Sequence, residues 1–123
     1  MNKSNNLENF GLSLMFKAEI IVNGESKSMI SAILKDIGIV GFTILDNVSG
    51  YGHSGYHDGR SLYNDNDNQV MFIAVGSEDV IQKVVKSMNT FFTKHSGVMF
   101  ISDVAVTRRS YFLKEENMND SEG

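Results

Sequence analysis

Two amphipathic helical stretches, each entered from one apolar strand and left into another, constrain this chain more than any other feature. Residues 12–22 (LSLMFKAEIIV) are rich in apolar and β-branched side chains and predict a mostly buried strand. Asn23-Gly24 then signals a turn. A helix is predicted from about Ser26, with Met29, Ile30, Ile33, Leu34 and Ile37 recurring on one face. Gly38 sits where a left-handed C-cap belongs. A second strand runs from Phe42 to about Val48. Residues 69–75 (QVMFIAV) predict a third, so continuously apolar that both its faces must be covered. Ser77 caps a second helix, and Glu78 and Asp79 lie at the positive end of its dipole. Its stripe is Ile81, Val84, Val85, Met88, Phe91 and Phe92. The helix breaks near Lys94-His95-Ser96-Gly97, and residues 98–106 (VMFISDVAV) supply a fourth strand, followed by Arg108 and Arg109.

Strand, helix, strand, strand, helix, strand is the split βαβ order of an α+β, ferredoxin-like βαββαβ fold. That fold is an antiparallel four-stranded sheet with both helices on one face. The other face poses a problem for a monomer. Met71, Ile73 and Val75 alternate with Val70, Phe72 and Ala74, so one apolar set meets the helices and the second is exposed. Homo-oligomerisation through the open sheet face is the expected solution. Residues 12–112 form the one domain. Residues 1–11, polar and Asn-rich, and residues 113–123, acidic and polar, are expected to be disordered ends.

Residues 50–68 make a long aperiodic loop holding Gly50, Gly52, Gly55 and Gly59, His53 and His57, and an Asn/Asp run. Loops this long inside a domain are usually functional or disordered. Little apolar burial offsets the entropy of ordering it, so residues 54–68 are expected to be mobile without ligand. Gly50, Gly52 and Gly55 match G-x-G-x-x-G, but no helix opens at the third glycine and no parallel sheet follows, so a dinucleotide fold is not expected. The glycines can still turn backbone N–H groups toward an anion, with a plain flexible hinge as the equal alternative. His53, His57 and Asp58 suit zinc or copper by type. Their spacing aligns ligands only on a helix, and no fourth ligand is in view, so no metal is expected. His95, Asp103 and scattered serines lack any nucleophile elbow, and no enzyme is read from them. Arg108-Arg109 could hold a phosphate or be a solvated strand end.

Composition narrows the partners. Hydrophobic content of 41% and charged content of 21% fit a soluble globular chain. No apolar run approaches membrane-span length and the N-terminus lacks a signal-peptide core, so a cytoplasmic protein without membrane insertion is expected. There is no cysteine for disulfides or thiolate metal sites. A net charge of −4 argues against nucleic acid, which needs clustered cations.

GFTILDNVSGYGHSG, and later FFTKHSGVMFISDVAV with arginine soon after, resemble the PII-like signalling proteins over about residues 14–111. The likeness is closer to the carbon-sensing branch, the carboxysome-associated PII-like proteins and the regulator of the sodium-dependent bicarbonate transporter, than to nitrogen PII proteins. It implies a homotrimer with sheets lining an inner barrel and adenine nucleotides in three intersubunit clefts. It also implies a ligand-responsive T-loop at residues 50–68. By position, Thr43 and Ile44 fall near the start of the cleft, and Gly50, Tyr51, Gly52 and His53 at the T-loop base that meets phosphates. Phe72 and Ala74 would flank adenine. Lys94, Ser96, Gly97 and Val98 match a B-loop reaching in from the neighbouring subunit, and Arg109 a phosphate-contacting arginine. Nitrogen PII proteins carry Gly-Asp-Gly-Lys in the B-loop, where this chain has His95-Ser96-Gly97-Val98. Loss of that lysine favours AMP or ADP over ATP as effector, with bicarbonate a candidate co-ligand. Ser54 replaces the glutamine that helps hold 2-oxoglutarate, and no uridylylation motif surrounds Tyr63. The carbon-branch tail with paired cysteines is absent. The implied role is regulation of a protein partner, with a bicarbonate transporter or carboxysome component as candidates. The competing readings are a metal-binding trimer of the copper-tolerance type and a small ferredoxin-like enzyme using the loop histidines.

Overall fold

The computed structural model describes residues 3–51 and 68–113. Strand β1 (Ser13–Asn23) lies inside a four-stranded sheet of order β2-β3-β1-β4, where β2 is Phe42–Val48, β3 Gln69–Gly76 and β4 Gly97–Val106. Every pairing is antiparallel. Helices α2 (Lys27–Ile37) and α3 (Glu78–Phe91) supply the apolar residues that cover one sheet face. This is the ferredoxin-like arrangement the segment order predicts.

The alternation in each strand sets the core. Ala18, Ile20 and Val22 of β1 and Val70, Phe72 and Ala74 of β3 are buried against Ile30 and Leu34 of α2 and Ile81, Val84, Met88 and Phe91 of α3. Burial of each large side chain among these contributes about 1.5–3 kcal/mol. Met29 departs from the expected stripe and is exposed, because it lies a full step around the helix from Ile30 and past the edge of the buried face. The caps follow the predicted logic. Gly38 is left-handed (φ 108°), and N–H groups of Gly38 and Ile39 donate to the carbonyls of Lys35 and Leu34, closing α2. At α3 the Ser77 hydroxyl accepts from the Val80 N–H at 3.4 Å.

The N-terminal segment expected to lack order contains a helix, α1 (Lys3–Asn9). Gly11 (φ 72°) ends it, with the Leu12 N–H donating to the Leu7 carbonyl at 2.9 Å and the Gly11 N–H to that of Glu8 at 3.0 Å. That double closure gives a polar stretch a defined stop. Residues 114–123, also expected to be disordered, lie outside the described residues.

The opposite sheet face is open. By register it carries Ile21 with Met71 and Val98, Glu19 with Ile73 and Phe100, and Lys17 with Val75. Val98 is 48% exposed and Phe100 55%. An ion pair, Lys17 to Glu19 at 3.3 Å, interrupts this surface. Met15, by parity on this same face, is buried, in β1, the strand that α1 contacts. Among the described residues no helix is long and apolar enough to cross a membrane.

Candidate functional site

Of the described residues singled out in the sequence, Thr43, Ile44, Phe72 and Ala74 lie in the middle of the sheet and the rest fall at its two opposite ends. At one end β2 runs out toward Gly50 and Tyr51, β3 begins, β1 ends and β4 starts. The Gly24 N–H donates to the Asn68 carbonyl at 2.7 Å, tying the foot of the long loop to the end of β1. A side chain at Gly24 would come within 2.9 Å of that carbonyl, so glycine is required by the close approach. On the entering side the β2 register shifts between Leu45 and Val48, and Asn47 takes a left-handed conformation (φ 60°) there. This irregularity re-aims the chain just before the loop. Its only sequence signal is Asp46-Asn47, two residue types that tolerate this geometry. Tyr51 is exposed; Gly52 and His53 lie outside the described residues.

Gly97 and Val98 stand at this same end, three strands across, or about 14 Å at normal strand spacing. An added Cβ at Gly97 would lie 2.8 Å from both the Ile21 carbonyl and the Phe92 ring, so the chain can cross here only as glycine. Lys94 and Ser96 are exposed just before it, and the His95 ring stacks on Phe91 with centroids 4.4 Å apart. The loop base and the B-loop residues therefore belong to one end of one chain.

Arg109 is at the other end. A strand the length of β4 spans about 30 Å, and Arg109 lies beyond its far terminus. It lines a cleft of about 350 Å³ with residues of the α2–β2 connection, the β3–α3 turn including Ser77 and Asp79, and Phe112 and Leu113. No local pattern predicts this cleft, because three separate connections assemble it. One chain thus cannot bring Arg109 to Gly50.

The middle of the sheet corrects another expectation. Phe72 and Ala74 are fully buried under the helices, and the Phe72 ring tilts against Phe42 with centroids 5.6 Å apart. They cannot touch an adenine in this chain, since their parity faces the helices. Ile44 is half-buried against the same core, whereas Thr43 is exposed on the edge strand opposite Ile73. Among the described residues no group of three or more His, Asp or Glu side chains is placed to hold a metal. His53, His57 and Asp58 lie outside them.

The family model for nitrogen regulatory protein P-II matches residues 15–111. The fold superposes on solved structures of CPII from Thiomonas intermedia K12. One, bound to ADP, AMP and acetate, is 33% identical with a TM-score of 0.70, covering 82% of this chain and 96% of that one. Another, bound to ADP and bicarbonate, is 32% identical with a TM-score of 0.72, covering 83% and 97%. A PII-like signalling protein from Thermus thermophilus shares the fold at 16% identity, with a TM-score of 0.65 and coverage of 83% and 98%. No curated protein matches.

Proposed function

The chain belongs to the nitrogen regulatory protein P-II family, and we propose that it is an adenine-nucleotide sensor that takes ADP or AMP in clefts between the subunits of a homotrimer. The observation that carries this reading is the likeness, at about one-third identity over most of both chains, to a protein solved with ADP and bicarbonate. Bicarbonate is accordingly the candidate co-ligand.

The placement of residues supports a shared site. Gly50 and Tyr51 stand with Gly97 and Val98 at one end of the chain, and Arg109 at the other. A phosphate held by both groups must lie where the loop end of one subunit meets the far end of the next. The resemblance implies a B-loop reaching in from the neighbour; the proposed arrangement keeps the B-loop with the loop base at its own end of the chain and has Arg109 come from the next subunit. The open sheet face, with Val98 and Phe100 half exposed, offers the apolar area that assembly would cover.

Ligand at the cleft selects one arrangement of residues 50–68 and so changes the surface shown to a protein partner. A partner in inorganic-carbon uptake, a bicarbonate transporter or a carboxysome component, follows from the branch resemblance, and gene neighbourhood would identify it. The copper-tolerance and enzyme readings rest on His53 and His57, and turnover or metal loading lost on replacing them would revive either.

Assembly is tested first. Light scattering coupled to gel filtration is expected to give about three chains per particle. A stable monomer at micromolar concentration leaves the cleft incomplete and defeats the proposal. Calorimetric titration with ADP and AMP, with and without bicarbonate, tests the ligand.

A further inference from the structure

The arginines that follow β4 do different things. Arg108 is one of two described non-glycine residues with positive φ (54°), a left-handed conformation costly for a long side chain. It opens a tight turn, Arg109–Phe112, in which the Tyr111 N–H donates to the Arg108 carbonyl at 2.8 Å. Its guanidinium carbon lies 4.7 Å from the centroid of the Tyr111 ring. Arg109, the next residue, lines the cleft instead. Tyr111 is 60% exposed, so its ring is not there to fill a core.

A strained residue persists where its surroundings hold it. Here the Tyr111 ring lies against the Arg108 guanidinium and edge-on to Phe112 at 5.6 Å, and backbone bonds from Tyr111 to Arg108 and from Leu113 to Ser110 close the turn. On a continued strand Arg109 would leave along the β4 direction. The left-handed step at Arg108 turns the chain so that Arg109 faces the cleft. We propose that Tyr111 is a positioning residue for nucleotide binding: by stacking on Arg108 it holds the turn that aims Arg109 at the phosphate. This rests on the nucleotide-sensor reading above and adds to it a residue that need not touch ligand.

The test uses the full chain, ADP as probe, and four variants. Tyr111→Phe keeps the ring and is expected to bind ADP as wild type does. Tyr111→Leu removes it and is expected to weaken binding about fivefold, the scale of an exposed cation–π contact. Arg108→Asn tolerates the left-handed step unaided and is expected to keep the affinity, although it loses a charge. Arg108→Val cannot take that conformation and is expected to lose affinity as Tyr111→Leu does. Particle mass should stay at the wild-type value throughout, and so should the melting temperature of both Tyr111 variants and Arg108→Asn, as these side chains are exposed. Equal ADP affinity for Tyr111→Leu and wild type would overturn the positioning role alone. So would equal losses in Arg108→Asn and Arg108→Val, which would make Arg108 a direct contact. Wild-type protein that binds no ADP would remove the sensor reading and this role with it.

Discussion

Replacing Phe72 by alanine is expected to destabilise the fold by about 3–5 kcal/mol, the range for truncating a fully buried aromatic. That is a large share of the roughly 5–15 kcal/mol typical of a domain. Phe72 sits on β3 in the core cluster that the helices cover, with its ring against Phe42, and no part of it is exposed. Chemical denaturation of the wild type and the variant measures the loss. The gentler Phe72→Leu, closer in volume, should fold and bind ADP with unchanged affinity. If Phe72→Leu keeps its stability yet loses ADP, the ring contacts ligand after all and its assignment to the core is mistaken.

The second large effect is at Arg109. Arg109→Ala is expected to cost about 1.5–3 kcal/mol of ADP binding, the range for a hydrogen bond to a charged group. This corresponds to roughly ten- to a hundredfold in dissociation constant. The residue is exposed beyond the end of β4, so the melting temperature should hold. Mixing adds a sharper arm. If Arg109 visits the neighbour's loop base, a heterotrimer of Arg109→Ala chains and chains impaired at Gly50 should regain some clefts in which both wild-type groups meet. Mixed trimers that bind no better than either parent would show that Arg109 and Gly50 do not share a cleft.

Much of this architecture was legible in the sequence because it is periodic. The stripes of α2 and α3, the glycine at 38 and the serine at 77 each specify a local structure by a single physical rule, and the structure has those elements within a residue or so. Strand parity in β3 told which residues alternate, but not which set meets the helices. That ambiguity is why Phe72 and Ala74, chosen by resemblance, proved to lie in the core while Met71, Ile73 and Val75 face outward. Features set by a single residue were harder to see. The left-handed steps at Asn47 and Arg108 leave no periodic trace. The helix α1 was obscured by its polar composition, although Gly11 marked its end. The far cleft is a tertiary product of three connections, and nothing local could announce it. The separation of Arg109 from Gly50 is likewise visible only once strand order is known, and it bears most on the proposed function, because a ligand held by both residues would need a second subunit.

Calorimetric titration of the wild-type protein with ADP tests that account most directly. The prediction is saturable binding with one ADP per subunit, altered by bicarbonate and weakened at least about tenfold in Arg109→Ala. No heat and no thermal shift with ADP or AMP, with or without bicarbonate, would contradict it.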